Sequence, residues 1–426
     1  MRLIETLAEA LAWCAARIGP ANTDSPTEIA VAAIIAAVAA GDDDTLKELS
    51  SRFDGVAPGS IMVPAEELDA GENRVPAELA GAIDLALERV TDYYRRQPSE
   101  GFRHQSGSAV LGQLVRPLDA VGCYVPGGTA PLFSSLIMTA VPARVAGVAR
   151  IVAATPPTSR GGVPDEIAYV ARALDISDVV VLGGAQAVAA MALGAGSVPR
   201  VDKVVGPGNR FVVAAKRQLF GTVGIESLAG PTETLVLADD TASARHVVAD
   251  LLAQAEHLGA QPVLVTTSRE LATAVLATIE AEAATLPTAA AALESLRERG
   301  VVVVVPDLEA GVSVLNAYAP EHACLMVAEP WAAVEGVRNA GGLFVGPSSL
   351  EALGDYVAGP SHVMPTGATA RFASFVNLRD FQKVIPFFEA RPGFVAEVGP
   401  AAARMARAEG LEAHARAIEA RYEDHN

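Results

Sequence analysis

Two short stretches of the sequence combine side chains that could bind a metal ion or move a proton. The run 251–257, LLAQAEH, carries Gln254 and His257 three residues apart. On a helix this spacing places both side chains on one face, where two side chains can hold one metal ion. Glu321 and His322 are adjacent, and such a pair can take a proton from an alcohol and activate water. Together these residues predict one metal-assisted active site.

Two more side chains downstream could complete that site. Asp355 precedes the Gly/Pro-rich loop of LGDYVAGPSHVMPTG, which also holds His362, and His414 lies in AEGLEAHARAIEAR. Aspartate is a good hard ligand, and a second histidine would supply another nitrogen. Each candidate also has a purely structural interpretation, as a solvated helix residue, a helix-start glutamate or a turn-stabilising aspartate.

The residues before Glu321 predict its local structure. They are Tyr318, Ala319 and Pro320, and proline disfavours a regular strand at this point. We therefore expect Glu321 and His322 to lie in a turn or at the start of a helix, where neighbouring side chains can serve one substrate.

Composition and charge exclude several classes of protein. The 426 residues are 51% hydrophobic, which is enough for two or more domains with sizeable cores. A formal charge of −18 repels phosphate, so we expect no nucleic acid partner. Glu5 and Glu9 interrupt the apolar N-terminus, which indicates an amphipathic helix and no secretory signal. The apolar run 29–40 is too short to span a membrane.

Cysteine usage indicates the compartment. Cys14, Cys123 and Cys324 are far apart in the sequence, so they form neither a disulfide framework nor a CxxC zinc pattern. We therefore expect core thiols in a cytoplasmic protein.

Hydrophobic periodicity predicts helices followed by two α/β lobes. An apolar period of three to four marks helices in 1–19, 26–40 and 76–97. From Val121, short β-branched runs alternate with helix-like stretches, which predicts parallel strands with crossover helices. The predicted strands are 121–125, 150–154, 178–184 and 201–206 in one lobe and 234–239, 261–267, 301–306 and 341–346 in the other. After Lys383 we expect no further strand. The helices expected to close the chain are 397–408 and 409–421.

Four turns rich in Gly or Pro are candidates for ligand contact. We expect each of them just after the carboxyl end of a strand, where open parallel sheets bind their ligands. Glycines let a ligand approach the backbone, and a following helix N-terminus offers N–H groups to phosphate. The sequence contains neither GxGxxG nor a Walker motif, so ordinary strand-to-helix turns remain an alternative. The four turns are VPGGTAP (125–131), GGAQ (183–186), GPGN (206–209) and AGPTE (229–233).

Five long motifs carry a resemblance to one enzyme family. From about residue 25 to its end, the chain resembles the histidinol dehydrogenases, in which these motifs occur in the same order. Such a series is far more specific than any single pair of residues. The motifs are LLAQAEH, YAPEHA, GDYVAGPSHVMPTGATARF, GPGNRFVVAAKRQ and AGPTETLVLAD.

The resemblance implies a reaction and a metal. Family members are homodimeric, zinc-dependent, NAD-linked enzymes that oxidise L-histidinol through L-histidinal to L-histidine, so that four electrons leave and two NAD are reduced. Gln254, His257 and Asp355 match the family's zinc ligands from one subunit. His414 matches the ligand that a C-terminal tail delivers from the partner subunit, and one zinc ion binds per subunit. The zinc acts there mainly as a template that orients the alcohol.

The resemblance also implies catalytic and binding roles. His322 matches the general base for both oxidations, and Glu321 matches the group that activates water for the aldehyde step. Tyr124, Gln186 and Asn209 match the NAD positions. The implied substrate-binding residues are Thr232, Gln254, His257, His322, Asp355, Glu409 and His414.

The sequence departs from the family pattern at three places. Thr232 stands where serine is commoner, GIES (224–227) replaces a GID-type segment, and Arg210 follows GPGN where small residues are frequent. Lys383 lies in a family motif without an assigned role. These departures leave open a paralogue that oxidises another small polar alcohol, such as a sulfonated diol, to its acid. A non-catalytic zinc-binding dimer and a zinc hydrolase are further alternatives, against which the acid-base pair and the lack of HExxH argue.

The predicted architecture has two Rossmann-like lobes with incomplete parallel sheets, a helical N-terminal segment and a helical C-terminal tail. We expect the tail to be exchanged in a homodimer. The expected domains are the N-terminal segment 1–24, the first α/β lobe with its helical part over 25–120 and 235–378, the NAD-side lobe 121–234, and the tail 379–426.

Overall fold

The computed structural model places the chain in two compact units. The first unit comprises Met1–Arg96 and Asp119–Phe381, and the second comprises Gln97–Leu118 and Gln382–Asn426. The residues described are 1–19, 25–127 and 131–423.

Strands and helices alternate through most of the chain. The strands are β1 (Arg2–Ile4), β2 (Phe102–Ser106), β3 (Ala109–Pro117), β4 (Ala120–Tyr124), β5 (Arg150–Thr155), β6 (Asp178–Val181), β7 (Lys203–Val205), β8 (Gly224–Ile225), β9 (Glu233–Ala238), β10 (Gln261–Thr266), β11 (Val301–Val304), β12 (His322–Met326), β13 (Gly342–Val345) and β14 (Gln382–Ala390). The helices are α1 (Leu7–Ala16), α2 (Ser25–Ala40), α3 (Asp43–Phe53), α4 (Ala65–Glu72), α5 (Ala77–Arg95), α6 (Phe133–Val145), α7 (Asp165–Ala173), α8 (Gly184–Leu193), α9 (Arg210–Leu219), α10 (Ala244–Ala255), α11 (Arg269–Ala283), α12 (Ala289–Glu298), α13 (Leu308–Tyr318), α14 (Pro330–Gly336), α15 (Glu351–Tyr356), α16 (Pro392–Ala408) and α17 (Glu412–Glu423).

The first unit contains two parallel sheets, as the sequence predicts. One sheet has the strand order β1-β11-β10-β9-β12-β13 and the other has the order β6-β5-β4-β7-β8. In the five-stranded sheet the chain starts at the central β4, builds outward through β5 and β6 and then crosses to β7 and β8. The six-stranded sheet follows the same course from β9 onward, and β1 adds an edge strand beside β11. Helices cover both faces of such sheets, so their strands are continuous apolar runs. The predicted α/β fold with two parallel-sheet lobes is confirmed.

The six-stranded sheet lies between two apolar layers. Along β9, Leu235 and Leu237 pack in the cluster that includes residues of α1 and α13, whereas Val236 and Ala238 pack in the cluster of α10, α11 and α12. Successive side chains of a strand point to opposite faces, so one apolar run fills both layers. This double burial fixes the position of β9, and the candidate site is built around its first residue.

Helices α2 and α3 cover the five-stranded sheet. Val31, Val38 and Leu46 are buried in the same cluster as Val152 and Val188. An amphipathic helix shows that it covers a core but not which core. The expected domain boundaries, including the assignment of 25–120 to the first α/β lobe, stay a prediction.

Two strands of the six-stranded sheet differ from the sequence prediction. Arg2–Ile4 was expected to be helical but pairs in parallel with β11, and α1 begins only at Leu7. The prediction of a turn or helix at Glu321 and His322 was wrong at His322, which is the first residue of the buried strand β12. Pro320 precedes the strand, where no ladder hydrogen bond from its nitrogen is required.

The second unit is an antiparallel sheet with two helices. Its strand order is β14-β3-β2, and α16 and α17 pack against each other. The expectation that strands end near Lys383 was wrong, because Gln382–Ala390 pairs along its length with β3. The two predicted closing helices are present, although α16 begins earlier and α17 later than expected. Among the described residues, no helix is long and apolar enough to cross a membrane.

Candidate functional site

The candidate catalytic residues meet at the amino end of the six-stranded sheet. Thr232 directly precedes β9, Glu321 directly precedes β12, and these two strands are neighbours, with His322 in register with Thr234. Helix α10 follows β9 and returns along the sheet, so Gln254 in its last turn reaches the amino end of the strands. The turn 229–233 was expected after a carboxyl end, and this was wrong because it precedes β9.

A threonine hydroxyl links the candidate metal ligand to the candidate acid. Thr232 Oγ1 lies 2.9 Å from Gln254 Oε1 and 2.8 Å from Glu321 Oε2. A hydroxyl has a single hydrogen to donate, so it satisfies both oxygens only when one of them carries a proton. Burial raises the pKa of Glu321 to about 7, although the neighbouring His322 opposes the rise. With this pKa both forms of Glu321 are present near neutral pH: the acid can donate to Thr232, which in turn donates to Gln254, and the carboxylate can accept the Thr232 hydroxyl hydrogen.

The peptide groups of Glu233 hold both members of the Glu-His pair. The Glu233 N–H donates to Glu321 Oε2 at 3.1 Å, and the Glu233 carbonyl oxygen lies 3.0 Å from His322 Nδ1. A carbonyl can only accept, so His322 Nδ1 carries the hydrogen in this bond. In the neutral ring the other nitrogen, Nε2, then has the free electron pair that a general base needs. Nε2 is buried and has no hydrogen-bond partner among the described residues.

A further carboxylate behind His322 was missed by the sequence analysis. Glu351 is 1% exposed, and its Oε2 lies 3.9 Å from His322 Nδ1. Burial alone would lower the pKa of His322, but the charges of Glu321, Glu351 and Asp355 outweigh it and raise this pKa to about 9. No sequence pattern distinguishes Glu351 from a glutamate that starts a short helix.

Asp355 and His362 lie close to each other. His362 Nδ1 lies 3.0 Å from the Asp355 carbonyl oxygen and 4.0 Å from Asp355 Oδ1, and its Nε2 lies 3.4 Å from Ser135 Oγ. Burial lowers the pKa of His362, which favours the neutral ring. The sequence analysis noted His362 without giving it a role. Its proximity to Asp355 adds a second buried imidazole to the site.

The expected metal ligands are only partly assembled in the first unit. Gln254 is buried, Asp355 is half-buried and His257 is exposed. Gln254 and His257 do not share a helix, because α10 ends at Ala255, although the His257 N–H still bonds to the Gln254 carbonyl. Across 1–19, 25–127 and 131–423, no three His, Cys, Asp or Glu side chains are close enough to hold a metal ion.

Two expected site residues lie in the second unit. Glu409 caps the C-terminal end of α16, and His414 is in the first turn of α17. Both side chains are exposed. Their proposed contribution to a partner subunit's site therefore stays a prediction.

The three expected NAD residues line one cavity of about 580 Å³. Tyr124 ends β4, Gln186 is in the first turn of α8, and Asn209 caps α9 after β7. Strands β4 and β7 are neighbours from which the chain leaves in opposite directions, and such a switch point is where open α/β sheets bind ligands. The cavity also includes Gly127, whereas residues 128–130 of the turn 125–131 lie outside the described residues.

A carboxylate in this cavity was also missed. Asp54 Oδ2 accepts hydrogen bonds from the Gly183 N–H and from Gln186 Nε2, both at 3.2 Å. Burial raises the pKa of Asp54, and the bonds that it accepts counteract the rise. The described lining contains this one carboxylate and neither lysine nor arginine. The bond from Gln186 fixes the amide that points into the cavity.

A buried ion pair holds the turn that carries Asn209. Lys216 Nζ donates to the Gly206 carbonyl at 2.5 Å and to Glu226 Oε1 at 2.8 Å, while Glu226 Oε1 accepts the Gly206 N–H at 2.9 Å. The two side chains are 2% and 5% exposed. Gly206 has φ +120°, and a Cβ there would lie 2.1 Å from the Tyr124 carbonyl oxygen. The pair therefore fixes both backbone polar groups of Gly206, a residue packed against β4.

Lys216→Met is expected to destabilise the protein by about 3–5 kcal/mol, because it leaves Glu226 buried without a counter-charge. The double variant Lys216→Met/Glu226→Leu should recover most of the stability but keep a raised KM for NAD, since the turn is no longer held. Urea unfolding measures the change in stability, and steady-state kinetics measure the KM for NAD. Arg96→Met, which removes the exposed pair with Asp92, should cost less than about 1 kcal/mol and leave KM unchanged. An unchanged KM for NAD in the double variant contradicts the prediction.

Comparisons with known proteins agree with one another. A sequence model of the family described as histidinol dehydrogenase matches residues 19–422. The histidinol dehydrogenase of Deinococcus radiodurans is 55% identical over 396 residues, which are 92% of this chain and 90% of the relative. That of Thermus thermophilus is 47% identical over 93% of this chain and 95% of the relative. A crystal structure of histidinol dehydrogenase from Elizabethkingia anophelis superimposes with a TM-score of 0.94 and 32% identity, covering 100% of this chain and 98% of the other.

Proposed function

Because this chain belongs to the histidinol dehydrogenase family of oxidoreductases, we propose that it oxidises L-histidinol through L-histidinal to L-histidine, with zinc and two NAD per turnover. One observation carries the proposal. A histidine and a glutamate are bonded to the backbone carbonyl and N–H of one residue, Glu233, so the proposed proton acceptor and the proposed water-activating group are held by the same residue of β9. Both steps of an alcohol-to-acid oxidation need such a pair.

The first oxidation uses His322 as the base. Its Nδ1–H is held by the Glu233 carbonyl, so Nε2 is left to take the hydroxyl proton of the alcohol. NAD held by Tyr124, Gln186 and Asn209 would supply the acceptor for the carbinol hydride. The carboxylates of Glu321 and Glu351 stabilise the resulting imidazolium, because both raise the pKa of His322. The product of this step is the aldehyde with one reduced cofactor.

The second oxidation needs a hydrated aldehyde. Glu321, with a pKa near 7, takes a proton from water as the water adds to the carbonyl carbon. His322, once it has released its first proton to solvent, would then remove a hydroxyl proton from the hydrate, and a second NAD would supply the acceptor for the hydride. The carboxylate product and two reduced cofactors balance the four electrons. Thr232 keeps Glu321 oriented toward Gln254.

The proposed metal ligands have the kinds of donor atom that bind a divalent cation. Gln254 offers an amide oxygen, Asp355 a carboxylate, and His257 an imidazole, all of which are ligand types used by zinc. The buried, unpartnered Nε2 of His322 also fits a site that bound groups complete. We propose these three residues as the ligands from one chain, with His414 of the partner subunit as the fourth. A zinc ion held by these residues would supply Lewis-acid chemistry that orients the alcohol and polarises its oxygen.

The cavity that contains Tyr124, Gln186 and Asn209 is the proposed NAD site. Its position at the switch point of the five-stranded sheet supports this assignment. We also propose a cytoplasmic location, which is consistent with three free, buried cysteines.

A shared active site predicts complementation between two inactive variants. Consider a hybrid homodimer of one His322→Asn chain and one His414→Asn chain. If His414 serves the partner's site, one site lacks both residues and the other lacks neither, so the hybrid should have about half of the wild-type activity. Co-expression with two tags and tandem purification yields the hybrid for assay. Activity no higher than that of the parent variants contradicts the exchange of His414.

The proposed function is tested by counting products. Zinc-loaded protein is given L-histidinol, and NADH is counted against histidine. Two NADH per histidine, lost on chelation and restored by zinc, is the expected result. Sulfopropanediol is the competing substrate for the paralogue. Turnover of that diol alone, or of neither alcohol, contradicts the proposal.

A further inference from the structure

The N-terminal helix contacts the segment that leads into β12. Trp13 of α1 stacks on Tyr318, with ring centroids 5.3 Å apart and an angle of 25° between the planes. The guanidinium of Arg17 lies 3.5 Å from the centre of the Tyr318 ring, and its Nη1 donates to the Tyr318 carbonyl at 2.6 Å. Tyr318 is the last residue of α13, four positions before His322. Arg17 therefore holds the chain just before the candidate base.

The same guanidinium also reaches the residue that binds both catalytic groups. Arg17 Nη2 forms an ion pair with Glu233 Oε1, which also accepts the Gly367 N–H at 3.1 Å. The side chains of Arg17 and Glu233 are 13% and 7% exposed. The peptide groups of Glu233 bond to Glu321 and His322. One arginine thus contacts the first residue of β9 and the end of α13, the helix that leads into β12.

These contacts make the position of Glu233 depend on Arg17. A buried carboxylate requires a counter-charge or full hydrogen bonding, and Glu233 Oε2 has no partner among the described residues. Arg17 is the cation that pairs with it. Without this cation, the carboxylate would become protonated or would move toward water, and movement of the side chain would shift the Glu233 backbone. That movement would misalign the two groups that the peptide holds, and misplacement by about 1 Å can cost 100-fold in rate.

We infer that Arg17 is a positioning residue for the acid-base pair, acting through Glu233 and the Tyr318 carbonyl. This inference rests on the proposed function, and nothing in the family match assigns Arg17 a role, because the match begins at residue 19. The guanidinium spans two acceptors, the Glu233 carboxylate at the start of β9 and the Tyr318 carbonyl at the end of α13, which a single ammonium group cannot do with the same geometry.

The test compares Arg17→Met and Arg17→Lys with Arg2→Met, which removes an exposed ion pair with Glu9 in the same N-terminal segment. We expect Arg17→Met to lower kcat about 10-fold to 100-fold and to leave KM for NAD within about 2-fold, since the NAD cavity is untouched. Arg17→Lys should recover part of the loss. Arg2→Met should retain wild-type kinetics.

A double variant separates positioning from stability. In Arg17→Met/Glu233→Gln no charge is left unpaired, so Tm should return toward the wild-type value while kcat stays low. A kcat that recovers together with Tm, or a kcat of Arg17→Met within about 2-fold of wild type, overturns the inference.

A second readout needs no substrate. In ¹⁵N-histidine spectra, the hydrogen-bonded Nδ1–H of His322, assigned with His322→Asn, should be present in wild type and Arg2→Met and lost in Arg17→Met. An unchanged signal in Arg17→Met overturns the inference. If the wild type does not oxidise L-histidinol, the proposed function fails, and the NMR result still decides whether Arg17 holds His322.

Discussion

His322→Asn is expected to lower kcat about 1,000-fold for both L-histidinol and L-histidinal. Asparagine has an amide that can replace the Nδ1–H donor to the Glu233 carbonyl, so the strand end should keep its structure. It has no group that accepts a proton near neutral pH. Because one base serves both hydride transfers, the two losses should be similar.

The pH dependence identifies the same group. Glu321, Glu351 and Asp355 outweigh burial and raise the pKa of His322 to about 9, so the ring is mostly protonated at neutral pH in the free protein. Only the neutral ring accepts a proton. The kcat/KM for histidinol should therefore rise with pH until about pH 9 and then level off.

Single-turnover measurements with each substrate, at a series of pH values, check the His322 prediction. His246→Asn replaces an exposed histidine of α10 and should keep wild-type rates and pH dependence. A His322→Asn variant that slows only one of the two oxidations, or that retains the rise toward pH 9, would show that another residue is the base.

Much of the fold follows from local sequence patterns. Strands such as β5, β9 and β10 are β-branched runs bounded by turns, and their buried positions require no information from distant residues. Strand β1 has only three residues, too few for a period, and it forms because β11 offers an unpaired edge. Strand β14 pairs with β3 more than 260 residues earlier, and its side chains are largely exposed, so no buried pattern marks it.

The site was harder to infer because its geometry is set by strand pairing. The spacing of Gln254 and His257 indicated a shared helix face, but α10 ends between them. Gln254 instead meets Thr232 and Glu321, which lie at the starts of two neighbouring strands. Pairing of β9 with β12 in this register cannot be read from either segment alone. The side chain of Glu351 likewise enters the site through tertiary packing, without a motif of its own.

Glu321→Gln is expected to separate the two oxidations. Glutamine can keep the bonds to the Glu233 N–H and to the Thr232 hydroxyl, but it cannot take a proton from water. Hydration of the aldehyde should slow by about 100-fold or more, whereas the first hydride transfer should fall by less than about 10-fold. NADH formed per histidinol consumed should drop from two toward one, with histidinal trapped by an aldehyde reagent.

The same variant also tests whether the charge of Glu321 affects the pKa of His322. Removing the Glu321 charge removes a carboxylate that favours the protonated imidazole, so the pKa of His322 must fall. The first oxidation should therefore reach its plateau at a lower pH in Glu321→Gln than in wild type, while Glu329→Gln, an exposed control, shifts nothing. Equal losses in both oxidations with an unmoved plateau would mean that Glu321 neither activates water nor faces His322 during turnover. A plateau at lower pH together with a selective loss of the aldehyde step requires that Glu321 activates water and also faces His322. A remote or purely structural carboxylate would produce neither effect.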